Sequence, residues 1–348
     1  MMPARWPRED ALRERLLHIG PRTGTLRDAH IADLPRLLRA GDLLVVNDAA
    51  TLPGSLQGQA PGGTAVEARL LGELPDGAFR AVLFGPGDWR TPTEHRSPPP
   101  LLREGDRLSF GALSATAGSV SLSATIENVS SVSPRLVELR FDGPRDRLWP
   151  LLYRLGRPVQ YSYAAGALEA WHVQVPYASQ PRAAEMPSAG RPLRWEVLLG
   201  LRERGVHLAS VTHAAGLSST GDPALDAALP LPEEFEVPEA TAEAVARAHA
   251  RGGRVVAVGT TVVRALEGAA LQHGGRLVAT AGETDLVVGP GYRPSVVDGL
   301  LTGVHEKAAS HFALLHAFAP AEVLRRAHDH SERSGYLSHE FGDSWLLL

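Results

Sequence analysis

Hydrophobic and polar positions follow two rhythms along the chain. Residues 41–48, "GDLLVVND", form a short apolar, β-branched run closing on the polar pair Asn47-Asp48, the pattern of a buried strand. Ahead of it, "DAHIADLPRLLRA" predicts a short helix that Pro35 starts or interrupts. Between about Gly54 and Pro150 the texture changes to alternating runs: "AVEARLLGEL", "AFRAVLF", "DRLSF", "SVSLSATIENV" and "RLVELRF", divided by Gly, Pro and Asp turns. Strands at that spacing with no helical stretch between them predict a small antiparallel barrel. "HRSPPPLLREGD" is a Pro-rich loop inside this region rather than a linker.

After Trp149 the helical period returns. "LRWEVLLGLRERG" (193–205) predicts an amphipathic helix stopped at Gly205, and "VHLASVTH" a strand. "ATAEAVARAHARGG" (240–253) predicts a second helix closed by glycines. Residues 255–270, "VVAVGTTVVRALEGAA", pass from strand through Gly259-Thr260-Thr261 straight into a helix. "GETDLVVGPGY" predicts a short strand ending in a Gly-Pro-Gly turn. Strands alternating with helices imply an α/β layer with parallel pairing. The predicted fold class is therefore α/β: one domain built from both chain ends (1–53 and 151–348), with residues 54–150 inserted as a small antiparallel β-barrel.

Composition narrows the class. At 348 residues, 44% apolar and 21% charged, the chain is an ordinary globular protein rather than a disordered one. It has no cysteine, which excludes a disulfide scaffold, thiolate metal sites and a cysteine nucleophile. No run reaches the roughly 18 apolar residues of a membrane span. The opening "MMPARWPREDALRERLL" lacks the apolar core of a signal peptide, so a cytoplasmic location is expected. A net charge of −4 exerts no global pull on nucleic acid, so a polyanion partner would need a local patch. Arg182, Arg191, Arg194 and the pair Arg325-Arg326 are candidates, although a solubilising surface role explains any single one of them better. Lys307 is the sole lysine; arginine over lysine, with abundant Ala and Gly, fits a GC-rich genome better than a functional reading.

Three motifs carry candidate chemistry. A helix N-terminus after a parallel strand presents unpaired N–H groups, so Thr260 and Thr261 with Arg264 one turn on could hold a carboxylate or phosphate. The competing explanation is that Thr260 or Thr261 caps the helix while Arg264 pairs with Glu267 or a neighbour. The glycine spacing of a nucleotide-binding loop is missing. Asn47-Asp48 ends a buried strand, where ligands bind in open α/β sheets; Asp48 could accept a ribose hydroxyl, act as a base, or cap a loop. Fourteen histidines lack the spacing of a helical zinc site, including His305/His311, His328/His330 and His207/His213, so no metal is expected.

Several segments together resemble the S-adenosylmethionine:tRNA ribosyltransferase-isomerase family of queuosine biosynthesis. They are "GDLLVVND" with Pro53 beyond it, "GGRVVAVGTTVVRALEGA" (252–269), "GETDLVVGPGYRPSVVDGLLTGVH" (282–305) and "FGD" (341–343), where the family shows Tyr-Gly-Asp. The resemblance implies a reaction that uses S-adenosylmethionine as ribosyl donor, without a further cofactor. A base takes a proton from the ribose carbon beside the sulfonium and adenine leaves. The amine of 7-aminomethyl-7-deazaguanine in tRNA then attacks, and methionine leaves as an epoxide closes. Asn47, Asp48, Thr260, Thr261, Arg264, Glu283, Thr284, Asp298, His305 and Asp343 lie in the matching stretches. Asp48, Glu233 and His305 are the candidate bases.

Other segments depart from the family. "PSAGRPLRW" (187–195) stands for Pro-Thr-Ala-Gly-Leu-His-Phe, with a two-residue insertion and Arg194 in the histidine's place. "VTHAAG" (211–216) stands for Val-Thr-Leu-His-Val-Gly, moving the histidine to His213 and leaving Ala214. One step along a strand reverses the side chain's face, so His213 is no simple substitute. "PLPE" (230–233) keeps Glu233 and has Leu231 for a histidine, and "VHEKAAS" (304–310) keeps His305. Arg194 and His213 are therefore candidates for a rebuilt binding site. The expected partners are S-adenosylmethionine and, by resemblance, tRNA. The alternatives are a paralogue running the same donor chemistry on a small molecule, or a non-catalytic S-adenosylmethionine-binding protein.

Overall fold

The computed structural model describes residues 1–111, 120–307 and 309–348. A hairpin, β1 (Arg15–Gly20) and β2 (Thr25–His30), leads through the short helix Leu34–Leu37 to β3 (Leu43–Asn47). Six strands follow: β4 (Ser55–Gln59), β5 (Ala65–Glu73), β6 (Phe79–Phe84), β7 (Arg107–Gly111), β8 (Ser121–Val129) and β9 (Leu136–Phe141). Next come α1 (Trp195–Glu203), β10 (His207–His213), β11 (Glu233–Val237), α2 (Glu239–Ala250), β12 (Val255–Val258) and α3 (Thr260–Gln272). The chain ends with β13 (Thr280–Thr284), β14 (Gly299–Gly303), α4 (Ala321–Arg333) and β15 (Ser344–Leu347).

Nine strands make one sheet in the order β13-β11-β10-β3-β12-β14-β15-β1-β2. Its centre, β10-β3-β12-β14, is parallel, as the alternation of strands and helices predicts. The flanks are mixed: β11 runs against both β10 and β13, β15 against β14, and β2 against β1. The expectation of parallel pairing thus holds for the centre and for β15 with β1, and the remaining pairs are antiparallel. β2 returns from β1 through a short turn, a connection that allows only the antiparallel sense.

Helices cover both faces of this centre. Leu43, Val45, Val255 and Ala257 pack with α2, α3 and α4 on one face. Leu44, Val46, Val256 and Val258 pack with α1 and the Leu34–Leu37 turn on the other. This explains why β3 is apolar from Leu43 to Val46 and β12 throughout: each buried Leu or Val contributes about 1.5–3 kcal/mol, whichever way it points.

The six strands from Ser55 to Phe141 close into an antiparallel barrel, ordered β8-β9-β6-β5-β4-β7. Alternate residues such as Leu56, Ala68, Leu83, Phe110, Ile126 and Leu139 fill it, and Leu148 and Leu152 of helix Arg145–Leu155 pack against one end. Ser119, the first residue of the expected strand 119–129, lies outside the described residues, as does Ala308.

Two elements differ from the sequence pattern. The strand expected within 282–292 sits earlier, at Thr280–Thr284. The chain leaves the sheet at Leu286, whose carbonyl accepts from Arg264 Nε at 3.0 Å. Helix α4, whose Val323, Leu324, Ala327 and Ser331 face the core, has no counterpart among the elements predicted from the sequence pattern. No helix among the described residues is long and apolar enough to cross a membrane.

Candidate active site at the carboxyl edge of the sheet

The four parallel strands end on one edge, which gathers Asn47-Asp48, His213, Gly259-Thr260 and Val304-His305. This is the edge where open α/β sheets bind ligands. Antiparallel β11 begins there and β13 ends there, so Glu233 and Thr284, paired in register, join it.

Asn47 fastens this edge. Its Oδ1 accepts from the His213 and Ala49 N–H groups at 3.0 and 3.1 Å. Its Nδ2 donates to the His213 carbonyl at 3.0 Å and to Thr261 Oγ1 at 3.2 Å. Those four bonds fill the side chain's usual capacity, which makes it a clamp between two strands and a helix. Gly259, with φ of 90°, is the helix N-cap, and no side chain caps there. The capping explanation for the threonines is therefore not what the structure shows: Thr260 is a buried first helical residue and Thr261 faces Asn47.

Arg264 pairs with Glu233, not with Glu267, through a short Nη1–Oε2 contact. Its remaining nitrogens donate to the carbonyls of Leu286 and Thr284, at 3.0 and 3.4 Å. The other Glu233 oxygen accepts from the Gly216 N–H at 2.6 Å. A Cβ at Gly216 would lie 3.0 Å from that oxygen and would press on the carboxylate. Burial pushes the Glu233 carboxyl above its ordinary value against the pull of Arg264. His213 is fully buried, its Nε2 3.5 Å from the same carboxylate, and neither ring nitrogen has a hydrogen-bond partner. Burial, with Arg264 beside it, lowers its pKa to about 3, so the ring is neutral. His311 adjoins Arg264 and stacks on His305 at 5.2 Å; burial lowers His305 to about 3, and its Nε2 meets Thr302 Oγ1 at 2.7 Å.

Asp48 stands apart from that group. Thr212 Oγ1 donates to Asp48 Oδ1 at 2.7 Å, whereas the next residue, His213, contacts Glu233. Successive strand side chains point to opposite faces, so Asp48 and Glu233 flank the sheet edge from opposite sides. Beside Asp48 lies the buried, unpartnered hydroxyl of Tyr177, its pKa raised by burial and by Asp48.

Sequence reasoning missed a second carboxyl cluster. Glu185 accepts from Tyr161, from Ser218 Oγ at 2.5 Å and from the Ser218 N–H at 2.8 Å. Tyr161 stacks on Tyr163 at 6.1 Å, and Tyr163 meets the His339 ring at a tilt, 4.5 Å between centroids; Glu340, next in the chain, is pushed up to about 8 by burial and by Glu185. The one available signal was the pair of tyrosines two apart in "QYSY", which is weak.

Four predicted residues lie elsewhere or have other tasks. Asp298 sits at the opposite end of β12, accepting from the Val255 N–H at 2.8 Å and meeting His249 at 3.1 Å. Asp343 is buried and ties the chain ends together, accepting from Arg8 at 2.6 Å, the Arg15 N–H at 3.0 Å and the Leu337 N–H at 2.8 Å. Arg194 is exposed at the start of α1, while Arg191 from the same segment is buried on Glu14 at 3.2 Å. Thr284 closes the local turn, accepting from the Leu286 N–H at 3.2 Å.

Glu283 and Glu233 both line a narrow crevice between the barrel and the sheet edge.

The chain matches the family described as "Queuosine biosynthesis protein" over residues 2–347. It belongs to that family. It is 34% identical to S-adenosylmethionine:tRNA ribosyltransferase-isomerase of Thermosynechococcus vestitus, over 93% of this chain and 86% of the relative. It is 36% identical to the proteins of that name from Methylobacterium sp. (98% and 93% covered) and Thermus thermophilus (94% and 90%). The crystal structure of S-adenosylmethionine tRNA ribosyltransferase from Thermotoga maritima shares the fold, with a TM-score of 0.54 at 23% identity, over 100% of this chain and 96% of that one.

Within the family, the altered positions now have a place. Ala214 and Leu231, the positions that the sequence reading sets against family histidines, both line the crevice beside Glu233. His213, one step away, is enclosed on the Arg264 side and does not refill the gap.

Proposed function

We propose that this chain is an S-adenosylmethionine:tRNA ribosyltransferase-isomerase acting in the cytoplasm on 7-aminomethyl-7-deazaguanine in tRNA. Membership of the queuosine family across residues 2–347 is the observation that carries this reading. S-adenosylmethionine enters as substrate, supplying its ribosyl part and releasing adenine and methionine. The site geometry supports Glu233 as the proton acceptor. It is a largely buried carboxyl with a raised pKa, and it lies on the crevice wall. A general base of this kind is worth about 10²–10⁴ in rate. Deprotonation of the ribose carbon next to the sulfonium leaves an ylide and expels adenine. The acceptor amine then forms the new C–N bond, and closure of the epoxide breaks the bond to sulfur, so methionine departs. Arg264 and the Gly216 N–H orient the carboxylate for the first step.

The test is a product assay on purified protein with S-adenosylmethionine, with and without tRNA carrying the aminomethyl base. Adenine and methionine released only with that tRNA, with the matching mass gain on the nucleoside, is the expected result. Donor turnover independent of tRNA would place the acceptor elsewhere, and intact donor binding without turnover would refute the enzymatic reading.

A further inference from the structure

Two carboxylates at the sheet edge hang on one loop. Residues 214–218 leave β10 with the Ala214 N–H on the Glu234 carbonyl at 2.8 Å, which ties the loop to the start of β11. Two residues on, the Gly216 N–H donates to Glu233 at 2.6 Å; two further on, the Ser218 N–H donates to Glu185 at 2.8 Å. The segment bearing Glu185 is fastened to the same loop, because the Ala184 and Glu185 N–H groups both donate to the Ala215 carbonyl, at 2.8 and 3.4 Å. Backbone bonds therefore hold Glu185 and Glu233 near each other whatever their side chains prefer.

The two differ in their partners. Glu233 has a cation, Arg264, in contact, whereas Glu185 is held by neutral donors, the Tyr161 and Ser218 hydroxyls and the Ser218 N–H. Arg69 of β5 bears on Glu185 from the barrel side, but its Nε is already committed to Glu67 at 2.8 Å. Glu340 bears on it as a like charge. Around Glu233 stand Arg264 from α3, His213 from β10, which is neutral, and Glu185. Burial raises Glu233 first, and the Glu185 charge adds to that rise against Arg264 and the Gly216 N–H.

We propose that Glu185 is a positioning residue for the reaction and acts through Glu233: the shared loop fixes where the Glu233 carboxylate points, and the negative charge of Glu185 keeps it ready to accept a proton. The proposal rests on Glu233 as the proton acceptor, as given above, and deepens that reading. Arg264 alone would make Glu233 a weak base, because a neighbouring cation favours the deprotonated form. Glu185 offsets that cation, and a stronger carboxylate base takes a carbon-bound proton faster.

Carboxyl carbon NMR titration of the wild type, Glu185→Gln, Glu185→Asp and Ser218→Ala tests this, with the Glu233 signal assigned by its loss in Glu233→Gln. Removing the like charge should lower the Glu233 midpoint by about half to one pH unit in Glu185→Gln. The acidic limb of kcat/KM in the product assay should move the same way. Glu185→Asp keeps the charge and should return both readouts towards the wild type. Ser218→Ala removes one donor at an exposed position, so it tests the same coupling without threatening the fold; its midpoint should fall by less. A Glu233 midpoint unmoved in both Glu185→Gln and Ser218→Ala, with Glu233→Gln inactive, would overturn this proposal alone. Wild-type turnover in Glu233→Gln would overturn Glu233 as the proton acceptor, and this proposal with it.

Discussion

His213 offers a quantitative test of how the site is built. Its ring is fully enclosed, and Arg264 already occupies the carboxylate oxygen that would otherwise welcome an imidazolium. A histidine lowered from 6.5 to about 3 binds its proton less readily in the folded chain than in the unfolded one. It therefore stabilises the fold fully above pH 6.5, and this contribution is lost as pH falls from 6.5 towards 3. At about 1.4 kcal/mol per pH unit, the loss by pH 5 is about 2 kcal/mol, and any folded pKa below about 4 gives nearly the same figure. Other groups oppose this trend. Glu14, pushed up to about 7 by burial, gains stability over much of the same window. The measurement must therefore be a difference between two proteins. Urea unfolding of the wild type and His213→Leu at pH 7 and pH 5 isolates the one group. Leu removes two unpartnered ring nitrogens, so the variant should be no less stable at pH 7. At pH 5 its advantage should grow by about 2 kcal/mol. Stability differences that stay equal at the two pH values would refute the enclosed, neutral histidine.

Other consequences follow from the same contacts. Glu267 is fully buried and accepts from the N–H groups of Ser295, Val296 and Val297 and from the Tyr292 hydroxyl, so Glu267→Gln should lower stability by about 2–4 kcal/mol, read as a urea midpoint shift. Gly216→Ala should displace Glu233 from its N–H and cut turnover by about tenfold or more in the product assay, with donor affinity changed far less. Asp343→Asn should lower the thermal midpoint, because it weakens the tie between chain ends, while the affinity for S-adenosylmethionine measured by calorimetry stays at the wild-type value.

Much of the fold was legible because burial leaves a period in the sequence. β3 and β12 are sandwiched between helices, so they appear as continuous apolar runs. The barrel strands bury one face and alternate. The strand β4, in "SLQGQ", was not legible: Gly58 passes so close to the Ser109 carbonyl that no side chain fits, and the apolar alternation is broken there. The helical nature of α4 was hidden in a similar way, because its buried positions include the polar His328 and Ser331.

The site divides along the same line. The strand-turn-helix at Gly259, the strand ending in Asn47-Asp48 and the family motifs are local, and their residues stand within a few positions of one another. Local steric preference and burial sufficed to place them at a sheet edge. The tertiary structure alone decided which side chains meet. Arg264 finds Glu233, thirty-one residues away, instead of Glu267 on its own helix, because β11 starts where α3 starts and Glu267 faces the loop after β13. Asp343 and Asp298 share motifs with site residues, yet one clamps the chain ends and the other lies at the far end of β12. Pairings of this kind depend on strand order and register, which are set by packing the whole core at once and leave no periodic trace along the chain.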